Sequence, residues 1–254
     1  MTTLKDFEGR TALVTGAASG IGAACATLLA QRGAAKLFLV DVDEAGMRTL
    51  DLPCEVEFVT GSVADEALWA ELEPKLEGLD HAIANAGIAS GGNLAEISFA
   101  DWRRVLDVNL DGAYLTLAAS MRAMLASRKA GSVVITSSTT GVKAVPGIGP
   151  YGVSKAAVAH MARIAALEGA ETGIRVNAIA PGGVDTNIWN SSEAFREAEA
   201  KHGREAAIKG MASGTPLGRF ATSEEMAGTI LYLLSDAAVN VTGHVMVSDG
   251  GFTL

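Results

Sequence analysis

Cysteine is nearly missing from this chain of 254 residues, with only Cys25 and Cys54 present. Two thiols so placed offer neither a disulfide framework nor metal-ligand spacing. A stapled secreted fold and a metal module are therefore set aside, and a reducing compartment is expected. Proline is scarce, at 6 residues, and no proline-rich linker, low-complexity tract or charge block divides the sequence. No repeat at a solenoid period is found either. Basic residues are outnumbered, 20 against 29 acidic ones, for a formal charge of −9. A phosphate-backbone partner needs a basic footprint, so no nucleic acid is expected. Long apolar runs are also lacking: residues 156–167 are interrupted by His160 and Arg163 and are too short to span a bilayer. The opening Met1-Thr2-Thr3-Leu4-Lys5-Asp6 lacks the basic-then-apolar layout of a signal peptide. These absences together imply a soluble, cytoplasmic protein with no membrane partner.

What is present is apolar side chain, 49% of residues against 19% charged, enough to bury a sizeable core. Short β-branched and apolar runs at 11–15, 37–41, 56–60, 81–85, 132–136, 175–180 and 244–247 read as buried strands. Between them, 20–33, 65–76, 98–125, 150–172 and 223–233 read as helices. Such alternation implies an α/β fold, a single-domain doubly wound (Rossmann) parallel sheet with helices on both faces, over residues 1–254. Ligands of such sheets sit at the carboxyl ends of the strands. The alternation breaks between 187 and 215, where Trp189 and Phe195 lie in helix-like polar sequence. That stretch reads equally as a mobile substrate lid or as a solvated helical insertion.

The first strand ends in Thr15-Gly16-Ala17-Ala18-Ser19-Gly20-Ile21-Gly22 and runs straight into a helix. Glycines allow the tight turn and close backbone approach, and the helix N-terminus offers free N–H groups to a pyrophosphate. Asp41 follows at the end of the second strand, a spacing that suits a carboxylate accepting from both adenosine ribose hydroxyls. A helix cap is the other reading of Asp41. The carboxylate would repel a 2′-phosphate, and neither Ser19 nor Val42 offers a compensating arginine, so NAD is expected over NADP. Tyr151 and Lys155, four apart, share one helix face. A tyrosine is a poor base at neutral pH, and a nearby ammonium favours its phenolate. Ser138 would come from a neighbouring strand end, where its hydroxyl can hold a reacting oxygen. Each of these is common by itself in ordinary helices and loops, and it is their joint occurrence after the proper strands that counts.

In these respects the sequence resembles the short-chain dehydrogenase/reductase family, in its compact single-domain branch, from Phe7 to Gly251. The resemblance rests on Thr-Gly-x-x-x-Gly-Ile-Gly at 15–22, Ala-Asn-Ala-Gly at 84–87, Val-Asn-Leu at 108–110 and Ser-Ser-x-x-Gly at 137–141. It continues with Tyr-Gly-Val-Ser-Lys at 151–155, Arg-Val-Asn-Ala-Ile-Ala-Pro-Gly at 175–182 and Asp-Gly-Gly at 249–251. It implies an NAD(H)-dependent oxidoreductase interconverting a secondary alcohol and a ketone. The four catalytic positions would be Ser138 orienting the substrate oxygen, Tyr151 as acid/base, Lys155 on the nicotinamide ribose, and Asn109 holding a relay water and kinking its helix. Cofactor contacts would come from Gly16, Ser19, Ile21, Gly22, Asp41, Val63, Ala86, Gly87, Pro181, Gly182, Val184 and Thr186, with Asn85 bracing the central strands. One departure is Ser62, which stands where the family often has an aspartate at the adenine. It reads as an adenine contact or as a plain turn residue.

Thr140, Val145, Ile148, Ile188 and Trp189 are the expected substrate-lining residues and point to an uncharged, partly apolar alcohol or ketone, unless they are core. Lys143 reads as a solvated loop lysine rather than an anion contact. Four acidic and four basic residues in 187–215 show no preference for an acidic carrier. An epimerase or dehydratase of the extended branch would need more than the roughly 70 residues that follow Pro181 to form a separate domain. An enoyl reductase is disfavoured because its tyrosine and lysine are usually spaced more widely. A non-enzymatic NAD-binding regulator has no need for all four catalytic positions. The resemblance further implies a homotetramer, with Ala113, Leu117, Met121, Ala157, Met161 and Ala165 as candidate outward faces of the two long helices, unless those faces cover the chain's own sheet. The apolar C-terminal end at Phe252 and Leu254 is the candidate for a second interface.

Overall fold

The computed structural model describes residues 5–254, so residues 1–4 of the N-terminal reading lie outside the described residues. Seven strands, β1 (Thr11–Thr15), β2 (Lys36–Asp41), β3 (Glu55–Thr60), β4 (His81–Ala84), β5 (Ser132–Thr136), β6 (Arg175–Pro181) and β7 (Val245–Ser248), form one sheet. Their order is β3-β2-β1-β4-β5-β6-β7 and every pairing is parallel. Successive residues of each strand feed opposite faces, as the period of 2 requires. Leu13, Phe38, Ala82, Val133 and Val176 enter one buried cluster, while Val14, Leu39, Ile83, Val134 and Ile179 enter the other. Because both faces are buried, the strands read as unbroken apolar runs.

Among the described residues, nine α-helices surround the sheet: α1 (Gly20–Gln31), α2 (Glu44–Arg48), α3 (Glu66–Leu72), α4 (Phe99–Leu106), α5 (Gly112–Ala126), α6 (Gly149–Gly169), α7 (Glu193–His202), α8 (Arg204–Ala212) and α9 (Ser223–Leu234). α1 and α9 pack on one face through Cys25, Leu29, Ile230 and Leu231. α3, α5 and α6 pack on the other through Trp69, Leu117, Met124, Val158 and Ala162. The helix expected over 98–125 is one continuous path in which a π-helical turn, Asp107–Asp111, joins α4 to α5. No helix among the described residues is long and apolar enough to cross a membrane. The stretch 187–215 resolves into a 3-10 turn, Asn187–Ser191, then α7 and α8, with Gly203 between them.

One expectation is corrected. Ala113, Leu117, Met121 and Ala165 do not face outward but are buried in the chain's own core, and Met161 packs against that core. Ala157 is half-buried. Small apolar residues line the side of each helix that approaches the sheet closely. The outward faces carry Tyr114, Leu125, Val153, Ile164 and Leu167 instead, and Leu167 is 81% exposed.

The strand order reverses between β1 and β4. At such a switch point the loops leaving the two strands turn to opposite faces and open a crevice at their carboxyl ends.

Candidate active site

The crevice is floored by backbone brought to van der Waals limits. A β-carbon on Gly22 would overlap the Gly16 carbonyl, and one on Gly16 would stand 2.9 Å from Ala86 Cα. Only glycine fits, and α1 therefore begins directly behind β1 with its first N–H groups turned into the crevice. Asn85 ties β1 to β5 at the floor. Its amide nitrogen donates to the Thr15 carbonyl at 3.2 Å, and its amide oxygen accepts from Thr136 Oγ1 at 3.2 Å. Asp41, at the end of β2, accepts from the Ala18 N–H at 2.9 Å and from the Asp43 N–H at 3.0 Å. The carboxylate is thus locked to the glycine loop, a role beyond both sequence readings. A dinucleotide's pyrophosphate and ribose fit this glycine cradle and its flanking acid.

Against the exit of β5 stands a second cluster. Ser138, extended in backbone, accepts from the Thr140 N–H at 3.2 Å and from Thr140 Oγ1 at 3.0 Å. α6 presents Tyr151 and Lys155 one turn apart, with the Lys155 nitrogen 5.7 Å from the phenol ring centroid. Lys155 is almost wholly buried and donates to the Thr136 carbonyl at 2.8 Å. Burial pulls its ammonium down to a pKa of about 8. Burial likewise pushes the Tyr151 phenol above its ordinary value, and the Ser138 hydroxyl pulls the other way without prevailing. The lowering expected from Lys155 does not appear: the phenol stands above its ordinary value, and it is Ser138 that opposes burial. Asn109 lies in the π turn, where the i→i+4 ladder is interrupted. Its amide accepts from the Ile88 N–H at 2.8 Å and donates to the Ile88 carbonyl at 2.9 Å and to Ser154 Oγ at 3.2 Å. A β-carbon on Gly87 would lie 3.3 Å from both Asn109 Oδ1 and Lys155 Nζ, so Gly87 is the thin wall between them.

Two buried serines complete the frame and were not singled out in the sequence. Ser154 links Asn109 to α6 by donating to the Tyr151 carbonyl at 2.7 Å. Ser137 donates to the Lys155 carbonyl at 2.7 Å. Serine is too common for either to stand out by spacing alone.

A family model described as "Enoyl-(Acyl carrier protein) reductase" matches residues 16–253. The cis-4-hydroxycyclohexanecarboxylate dehydrogenase of Sinomonas cyclohexanicum is 40% identical, over 97% of this chain and 98% of its own. The 2,5-dichloro-2,5-cyclohexadiene-1,4-diol dehydrogenase of Sphingobium indicum is 37% identical, over 98% and 99%. A solved short-chain type dehydrogenase/reductase from Mycobacterium marinum superposes with a TM-score of 0.86 at 30% identity, covering 98% of each chain. The chain belongs to the short-chain dehydrogenase/reductase family. It is an oxidoreductase of that family, whose dehydrogenases use a nicotinamide cofactor.

In this short-chain dehydrogenase/reductase the remaining expected residues fall in three places. Ser62 accepts from the Ala64 N–H at 3.2 Å, as a turn residue does, while Val63 is buried and takes the Trp69 indole N–H on its carbonyl at 2.7 Å. Gly182 lies against Asp249, and Val184 is buried, pairing in a short bridge with Ala221. Thr140, Val145 and Ile148 are half-buried on the loop before α6, and Ile188 is exposed. Trp189 is held within its own segment: its indole donates to the Val184 carbonyl at 2.7 Å and stacks on Phe220 at 5.3 Å. Lys143 donates to the Phe252 carbonyl at 2.8 Å and lies 4.9 Å from that ring's centroid. It ties the loop to the C-terminal end, a contact sequence alone does not show.

Proposed function

We propose that this protein is an NAD(H)-dependent dehydrogenase interconverting a ring-borne secondary alcohol and its ketone, with Tyr151 as the acid/base. The observation that carries this reading is the gathering of Asn109, Ser138, Tyr151 and Lys155 beside the glycine cradle. Gly16, Ser19, Ile21, Gly22, Asp41, Val63, Ala86, Gly87, Lys155, Pro181, Gly182, Val184 and Thr186 would hold the cofactor, which when bound accepts or returns the hydride. Ser138 Oγ donates to the substrate oxygen and fixes it beside Tyr151 Oη. In oxidation the phenolate takes the alcohol proton, and in reduction the phenol returns it. Lys155 would stabilise the phenolate by its charge against the burial that raises the phenol, and the π turn at Asn109 would leave a backbone carbonyl to hold a relay water.

NAD rather than NADP is supported by Asp41, whose carboxylate at the end of β2, held by the Ala18 N–H, would repel a 2′-phosphate on the adenosine ribose. The ring-alcohol class is supported by the two relatives named for cyclohexane- and cyclohexadiene-based alcohols. The tight Tyr151–Lys155 spacing favours dehydrogenase over enoyl reductase chemistry, and the four intact positions disfavour a regulator. One cofactor-binding unit, a cytoplasmic setting and a homotetramer complete the reading. The exposed Tyr114, Val153, Ile164 and Leu167 support the last of these, since burying them against a symmetry mate removes apolar surface from water. Light scattering at 26.0 kDa, one chain, would refute the tetramer.

The test is to incubate the protein with NAD or NADP and a panel of secondary alcohols, cyclohexanol and 4-hydroxycyclohexanecarboxylate included, and follow the reduced cofactor by absorbance. NADH is expected with ring alcohols. Equal or better use of NADP, or reduction with none of the panel, would overturn the assignment. Asp41→Ala is expected to weaken NAD binding by roughly 1.5–3 kcal/mol, the worth of hydrogen bonds to a charged acceptor. It also removes the lock on Ala18, so the loss belongs to both roles.

A further inference from the structure

The segment after β6 carries Thr186 directly over the phosphate end of α1: a β-carbon on Gly20 would stand 3.1 Å from the Thr186 methyl. Packing alone does not hold it there. A cleft of about 680 Å³ opens between α1, this segment and the start of α9, bordered by Ala23, Thr27, Asn187 and Glu224. The tie is Arg204, the first residue of α8. Its Nε and Nη2 donate to Asp185 Oδ1 at 3.0 and 2.6 Å, and Nη2 also donates to the Thr186 carbonyl at 2.9 Å. Its Nη1 reaches Asn190 Oδ1 at 3.4 Å and Glu199 Oε1 at 3.5 Å. The guanidinium also lies 5.3 Å from the Phe195 ring centroid. A planar fork can serve several acceptors at once where a point charge on a flexible stem cannot. One side chain thus binds the strand exit, the 3-10 turn, α7 and α8 into one piece.

We propose that Arg204 is a positioning residue that clamps residues 185–190 over α1 and so sets affinity for the nicotinamide half of the cofactor. This rests on the NAD reading above. Arg204 acts through Thr186 and takes no part in proton transfer. The adenosine would be held at the far side of the crevice, beside Asp41, which the clamp does not touch.

The experiment is calorimetric titration of wild type, Arg204→Gln, Arg204→Lys and Asp185→Asn with NAD and with AMP, which carries the adenosine half alone. Arg204→Gln is expected to weaken NAD about tenfold, the order for a charge-assisted pair at a part-exposed site. AMP affinity is expected to hold, kcat at saturating NAD to stay within a few-fold, and Arg204→Lys to recover part of the loss. Unchanged NAD affinity would overturn the proposal, and so would equal loss for both ligands, which marks a general structural defect. If Arg204→Gln does not fold, Asp185→Asn decides by the same comparison. The two readings fail separately: a wild-type preference for NADP refutes the NAD assignment, and the clamp is then decided with NADP and its nicotinamide-free fragment.

Discussion

At the N-terminal ends of the strands, Asp80, His81, Ser132 and Arg175 are buried or half-buried and well partnered. Asp80 takes Lys129 at 2.6 Å, Arg10 at 3.1 Å and the Thr11 N–H at 2.9 Å. Burial works against its carboxylate, but Lys129, the Thr11 amide and Arg10 outweigh burial and hold it below the ordinary value. Arg175 donates to the carbonyls of Leu233 and Leu234, at 2.7 and 2.8 Å, and to those of Ser235 and Val241. It thereby satisfies the end of α9. Ser132 donates to the Leu234 carbonyl, so His81 Nδ1 must be the donor to Ser132 Oγ at 2.8 Å, which fixes the neutral tautomer. At the C-terminal ends the matching is partial. Lys155 has three N–H donors and one hydrogen-bond acceptor among the described residues, the Thr136 carbonyl. A buried polar group with every partner supplied holds the fold, whereas one left with free donors is set for a ligand.

The difference can be broken most forcefully at Lys155. Lys155→Met is expected to cut turnover by roughly 10²–10⁴-fold, the usual worth of acid–base machinery. It is also expected to leave the melting temperature unchanged or raised. A buried ammonium brought from 10.5 to about 8 costs up to about 3 kcal/mol at neutral pH, which methionine does not incur. A large fall in melting temperature would show that Lys155 holds the fold after all. Arg175→Met is the opposite case. Urea denaturation is expected to show a loss of about 3 kcal/mol, because four carbonyls lose a charged donor. Turnover per folded molecule is expected to stay normal, and a selective loss of turnover would erase the distinction.

Acid sharpens it further. Burial, aided by Arg10 and Arg175 and opposed by Asp80 and Asp236, holds His81 down at about 4 against 6.5. A depressed folded value means its contribution is present above pH 6.5 and is lost as pH falls through 4, by up to about 3 kcal/mol. Asp80, also depressed, loses its contribution only lower, below the ordinary carboxylate range. His81→Gln is expected to flatten stability between pH 6.5 and 4 in denaturant titrations, and an unchanged slope there would deny His81 that part. The smallest effect lies at the C-terminal side itself. Thr222 and Glu225 form a reciprocal cap on α9, with bonds of 3.2 and 2.9 Å. Thr222→Ala is expected to cost about 1 kcal/mol of stability with no change in kcat, because its partners are complete despite its location.

The strands were legible to within a residue or two, because burial on both faces leaves apolar runs that no surface segment imitates. Ser138, Tyr151 and Lys155 were legible from where they fall after their strands, and Asn109, inside a helix, only through the family resemblance. α2 was not, since five residues carry no helical period. The outward helix faces were misread because small apolar residues suit a close approach to the sheet as well as a partner. Arg175 and Arg204 were illegible for another reason. Their acceptors are mostly backbone carbonyls or lie on other elements, so nothing in the neighbouring sequence announces them.

Tyr151→Phe tests the central claim most directly, by single-turnover reduction of NAD with a ring alcohol that the wild type oxidises, alongside NAD titration. Phenylalanine keeps the ring and removes only the proton-transferring oxygen. Hydride transfer is expected to slow roughly 10²–10⁴-fold while NAD affinity and melting temperature stay near wild type. Near-normal transfer in the variant would contradict Tyr151 as the acid/base and, with it, the division of the sheet into a fold-holding and a reacting end.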